Sequence, residues 1–86
     1  MVRVKRAKHV RDYLVEFTFT DESVRRIDLK KYLVGPIFEP LKEIDAFKRF
    51  KVDRELGTIV WPNGADIDPD VLYLNLTPAS RETGVR

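Results

Sequence analysis

Three aspartates at alternate positions, Asp66, Asp68 and Asp70, are the residues in this chain best spaced for chemistry. D-x-D-x-D opens a calcium loop, where alternate carboxylates converge on one ion. With Asp66 as the first ligand, the sixth position is Val71, where a glycine is needed for the sharp turn. The twelfth is Thr77, where a bidentate glutamate is needed. The calcium reading fails at both places. A magnesium site built on one or two of these carboxylates, and with it a metal-dependent enzyme, stays as an alternative. The structural reading gives each acid a local task. Asp66 orders a turn, Asp68 caps a helix, Pro69 takes the first helical position and Asp70 favours the positive end of the helix dipole.

Nucleophilic catalysis has little to work with. His9 is the one histidine, and a triad built on it needs Ser23 or Ser80, of which the first reads as a turn residue and the second lies near the end of the chain. Neither sits in a nucleophile elbow. The chain has no cysteine, so disulfides, thiolate metal sites and a cysteine nucleophile are excluded. No catalytic residue, resident metal or cofactor is expected, and the chain reads as a non-enzyme.

Two other groups could bind without catalysing. Trp61, Asn63 and Gly64 flank a rigid proline turn. Trp61 is either a core residue alternating with Ile59 or an aromatic shelf for a partner. Arg3, Lys5, Arg6, Lys8 and Arg11 precede the first acid, Asp12. They are either contacts to phosphate or charges that guard an edge strand against aggregation. The whole-chain balance weakens the first option. Sixteen basic residues face fourteen acidic ones, leaving +2, so a partner attracted by overall charge is not implied.

These residues must be carried by a small frame. The 86 residues suffice for one domain, expected over 1–76, with a disordered tail over 77–86. Apolar residues make up 43%, enough for a core. The N-terminus lacks the apolar stretch of a signal peptide, and no run approaches the roughly 20 apolar residues of a membrane span. A cytoplasmic protein with no membrane partner is the default expectation.

Residues 2–10 read as a first strand. In 13–20, Tyr13, Val15, Phe17 and Phe19 alternate with more polar neighbours, the pattern of a half-buried strand. Residues 23–29 supply a third strand, and short connections make the three an antiparallel meander. Residues 29–33 form one helical turn, ended by Gly35-Pro36. Pro40 biases Glu39 away from helical geometry. A short helix over 41–47, with Leu41, Ile44 and Phe47 inward, covers the sheet. A second hairpin follows, with strands near Phe50–Val52 and at 58–61 and a turn at Gly57. Pro62 ends the last strand, Asn63-Gly64 turns the chain, and a short C-terminal helix starts at Asp68-Pro69. The fold class is therefore α+β: a three-stranded meander plus a hairpin, one covering helix and one closing helix.

The run G-T-I-V-W-P-N-G-A-D-I-D-P-D-V-L-Y, from Gly57 to Tyr73, resembles the signature of a small bacterial domain-of-unknown-function family, number 2442 in its series. Phe17-Thr18-Phe19-Thr20-Asp21, the pair Asp28-Leu29, Ile37-Phe38-Glu39-Pro40-Leu41 and Val52-Asp53 match its other motifs. The likeness covers about residues 2–74. One departure is Glu22, where the family often has glycine after aspartate. It argues against a two-residue turn with positive φ and for a type I or longer loop. The resemblance implies an α+β domain, found alone or fused to a helix-turn-helix domain. It also implies a gene beside that of another small protein, in a layout like toxin–antitoxin pairs. It brings no catalytic residues.

Three functions follow from these residues. The first is a non-enzymatic protein-interaction or regulatory module, antitoxin-like, whose partner is the product of an adjacent gene and whose edge strand over 2–10 adds to that partner's sheet. The second is a nucleic-acid-binding accessory domain using the N-terminal basic strand. The third is the metal-dependent enzyme at Asp66, Asp68 and Asp70. The oligomeric state is left open by all three.

Overall fold

A computed structural model describes residues 2–74; the tail expected over 77–86 lies outside the described residues. Strand β1 (Val4–Arg11), β2 (Leu14–Phe19) and β3 (Val24–Asp28) form an antiparallel sheet in the order β1-β2-β3. The alternation in β2 decides its faces. Val15, Phe17 and Phe19 are fully buried, while Leu14, Glu16 and Thr18 look outward. On the inward face their cross-strand partners are Val4, Ala7 and His9 of β1 and Arg25 and Ile27 of β3.

The two ladders differ. The β1–β2 register shifts between Val4 and Arg6 and again between His9 and Arg11, so β1 carries two bulges. The β2–β3 register runs without a shift from Thr18–Val24 to Leu14–Asp28. The Phe19 N–H donates to Ser23 C=O and the Leu29 N–H to Tyr13 C=O, both at 2.9 Å, fixing the hydrogen-bond phase at the two ends of this ladder.

The first hairpin loop is Thr20-Asp21-Glu22, closed by the Glu22 N–H donating to Phe19 C=O at 2.9 Å. The loop is longer than two residues, as the missing glycine implied. Glu22 nevertheless takes φ 72°, the left-handed conformation the missing glycine argued against. The geometry belongs to the loop, in which a left-handed third residue matches the strand twist. Glu22 is held there by Lys5 at 2.9 Å.

The middle of the chain departs from the expected helix. A 3-10 turn spans Leu29–Tyr32, with Asp28 accepting from the Lys30 N–H at 3.0 Å. A second 3-10 turn spans Glu39–Lys42, then Glu43 is extended (φ −75°, ψ 124°), and helix α1 covers only Ile44–Phe47. The single helix over 41–47 is thus two pieces broken at Glu43. Pro40 sits early in the second 3-10 turn, where its absent N–H costs nothing, so Glu39 does enter a helical turn. What survives of the covering helix is its anchors. Leu41 and Phe47 are buried, and Ile44 is partly so.

Strands β4 (Lys51–Asp53) and β5 (Thr58–Val60) form the second hairpin, and helix α2 spans Pro69–Leu74. The core lies between the meander's inner face and these later elements. Phe47 is its hub, with its ring centroid 5.1 Å from Tyr13, 5.9 Å from Trp61, 6.0 Å from His9 and 6.1 Å from Phe50. Tyr73 of α2 packs edge-on against Phe19 at 5.1 Å. A sheet with one covered and one open face suits an α+β domain of this size.

Candidate functional site

The segment from Gly57 to Tyr73 is positioned from both ends. Gly57 has φ 70°, and its C=O accepts the Val4 N–H at 2.8 Å, tying the second hairpin to the start of β1. A Cβ there would lie 2.6 Å from Arg3 Nε, so glycine is favoured by the positive φ and any side chain would have to displace the Arg3 guanidinium. Thr58 is buried and its hydroxyl donates to Ile67 C=O.

Trp61 is 1% exposed, and its indole N–H donates to Phe47 C=O at 2.6 Å. Phe47 ends α1, so this carbonyl has no partner within the helix. The indole satisfies it. The ring therefore belongs to the core and offers no aromatic shelf. Pro62-Asn63-Gly64 forms a three-residue loop closed by Trp61 N–H to Ala65 C=O and Gly64 N–H to Trp61 C=O, both 2.9 Å. Asn63 orders it. Its Oδ1 accepts the Ala65 N–H at 3.1 Å and its Nδ2 donates to Ile37 C=O at 2.9 Å. The turn-ordering task assigned to Asp66 thus falls to Asn63. Asp66 instead forms a backbone bridge to Val60, with its side chain exposed.

Asp68 accepts the Asp70 N–H at 2.8 Å, one residue before α2, the geometry of a helix cap. Asp66, Asp68 and Asp70 are all exposed. Among the described residues, no three acidic or histidine side chains gather closely enough to hold a metal ion. His9 Nε2 lies 2.8 Å from Asp12 C=O, and Ser23 Oγ donates to Asp21 at 2.6 Å, so the structure does not bring the histidine and this serine together.

The basic run divides by role. The Arg3 guanidinium donates to Arg54 and Glu55 C=O at 2.9 and 2.6 Å, capping the β4–β5 turn. Lys5 pairs with Glu22. Arg6, Lys8 and Arg11 stay exposed on the outer face, where Lys8 lies opposite Glu16 and Glu16 also binds Arg26 at 3.0 Å. A hollow of about 450 Å³ lies beside β3, lined by Arg26, Ile27, Asp28, Lys30 and Lys31.

One cluster had no forerunner in the sequence reading. Tyr73 Oη donates to Asp21 at 2.7 Å, and the Arg25 guanidinium sits 4.7 Å above the Tyr73 ring. Hydrogen bonds from Ser23 and Tyr73 hold the Asp21 carboxyl down at about 2, and the same bond pushes the Tyr73 phenol up. The Asp-x-Ser spacing signals the local turn. Nothing in the sequence signals a partner 52 residues away.

A model of a family of proteins of unknown function, DUF2442, matches residues 4–78. The chain belongs to the DUF2442 family. No curated protein and no solved structure shows significant similarity to it. In this DUF2442 domain the Trp61, Asn63 and Asp68 side chains all bond within the fold, to the Phe47 C=O, the Ile37 C=O and the start of α2. Among the described residues of the DUF2442 chain, no helix is long and apolar enough to cross a membrane.

Proposed function

We propose that this DUF2442 domain is a non-enzymatic protein-interaction or regulatory module, antitoxin-like, that binds the product of an adjacent gene in the cytoplasm. The observation that carries this reading is the meander itself. Helices and aromatic rings cover its inner face, and among the described residues its outer face is open and one of its two edge strands is unbulged, with no backbone partner on the side away from β2. A rigid sheet with an open edge is a docking element for another chain. The signature residues support the reading by a different route. Trp61, Asn63 and Asp68 bond within the fold, so they serve the scaffold rather than a reaction. Co-expression with the neighbouring gene product and capture on a tagged copy of this chain tests it. A stoichiometric complex is expected, and its absence counts against the module.

A second reading rests on the outer face. Residues 2–34 hold nine basic side chains against five acidic ones, and Arg6, Lys8 and Arg11 are exposed there. As a nucleic-acid accessory domain, the chain should bind an oligonucleotide with affinity that falls steeply as salt rises. A titration that is flat at low salt removes this reading. The metal-dependent enzyme at Asp66, Asp68 and Asp70 is the least supported, because Asp68 is committed to the α2 cap. Calorimetry with magnesium settles it.

A further inference from the structure

The meander has two edges, and they are built differently. β1 is bulged twice, and its first residue donates to Gly57. Bulges and covering contacts are standard ways of closing an edge to foreign strands. Among the described residues β3 has no bulge and no backbone contact on the side away from β2, and its five residues Val24-Arg25-Arg26-Ile27-Asp28 contain no proline. Its phase follows from the ladder's ends. Because Phe19–Ser23 and Tyr13–Leu29 are bonded pairs, Arg25 and Ile27 turn their backbone groups toward β2. Val24 and Arg26 turn theirs outward, as does the Asp28 N–H, and among the described residues no backbone partner meets them, while the Asp28 C=O opens the 3-10 turn that follows. Val24 is 57% exposed on the same strand.

Resting on the interaction-module reading, we propose that β3, rather than the basic strand β1, is the docking edge, and that its occupant is an extended acidic segment of a protein partner, added as a fourth strand. Main-chain bonds to Val24, Arg26 and the Asp28 N–H would hold the segment, and charge would select it. Arg25, Arg26 and Lys30 flank the edge. The one acid on it, Asp28, is turned to the Lys30 N–H. A second copy of this chain fits poorly, since an antiparallel pairing centred on Arg26 sets that arginine opposite itself. Residues 75–86 have the wrong sign as well, with Arg81 and Arg86 against Glu82.

The test uses the full chain, isotope-labelled, with two synthetic ten-residue peptides, one alternating glutamate with valine and one alternating lysine with valine. Amide exchange is followed by NMR. The acidic peptide should slow exchange at Val24, Arg26 and Asp28 by about tenfold or more, and the lysine peptide should not. Arg26→Pro removes an outward N–H that the β2–β3 ladder does not use, so the fold should persist while peptide protection is lost. The double variant Arg25→Glu with Arg26→Glu leaves the backbone intact and should exchange the preference for the acidic peptide for one for the lysine peptide. Protection at Ala7 and His9 instead, equal response to both peptides, or concentration-dependent protection of β3 without peptide would each overturn the proposal. So would an oligonucleotide that protects β3 where the acidic peptide does not. A natural partner captured by co-expression that still binds Arg26→Pro overturns the edge assignment and leaves the interaction reading standing. Peptide docking at β3 with no natural partner captured supports the edge and counts against that reading.

Discussion

Replacing Trp61 with phenylalanine should destabilise the domain well beyond the loss of ring area. Two effects add. The indole N–H satisfies the Phe47 carbonyl at 2.6 Å, and Phe47 is fully buried, so water cannot take its place. An unsatisfied buried carbonyl costs about 1–3 kcal/mol. The smaller ring also leaves a gap among Phe38, Phe47 and Phe50, whose centroids lie about 6 Å from the indole. A partial large-to-small change of this kind costs roughly 1 kcal/mol. The sum is about 2–4 kcal/mol against a total stability of roughly 5–10 kcal/mol for a domain of this size. In thermal unfolding that is a drop of roughly 10–25 °C. Exchange of the Lys48 amide should also quicken, because α1 is only four residues long and the indole holds its last carbonyl. A loss below about 1 kcal/mol, or unchanged exchange at Lys48, would refute the idea that the indole bond holds α1 to the core.

Asn63→Ala cuts both the turn and its tie to Ile37, and should cost about 1–3 kcal/mol by chemical denaturation. Asp68→Ala removes the α2 cap and should cost about 1 kcal/mol, and unchanged melting would contradict the cap. Gly64→Ala meets open space and should cost roughly 1–2 kcal/mol for its backbone conformation alone. Gly57→Ala should cost more, because the new Cβ runs into Arg3, and equal losses at the two glycines would show that the Arg3 contact is slack. Asp21 titrates well below the usual carboxylate range, so its contribution is complete above about pH 4 and is lost as pH falls toward 2. Melting followed between pH 5 and 2 should be flatter in Asp21→Asn than in the parent chain.

Local patterns carried most of the architecture. The period-2 alternation of Val15, Phe17 and Phe19 gave β2 its faces, and Asp68-Pro69 gave α2 its start, because both signals are short-range. The covering helix was harder. Leu41, Ile44 and Phe47 keep a helical spacing, but the Pro40 turn and extended Glu43 break the chain into two pieces with the same buried anchors. Glu22 shows the reverse case, where a loop closed by its own hydrogen bonds holds a residue in a conformation its side chain disfavours. The site was less legible. Arg3 looks like any other member of a basic run until the β4–β5 turn brings two carbonyls to it. The two bulges that set β1 apart from β3 are announced by no residue type.

The interaction reading is tested most directly by hydrogen exchange on the chain purified alone and purified with its co-expressed neighbour. A stable complex is expected, in which the amides of Val24, Arg26 and Asp28 exchange far more slowly than in the free chain. Failure to form a complex, or a complex that leaves those three amides exchanging as before, would contradict it.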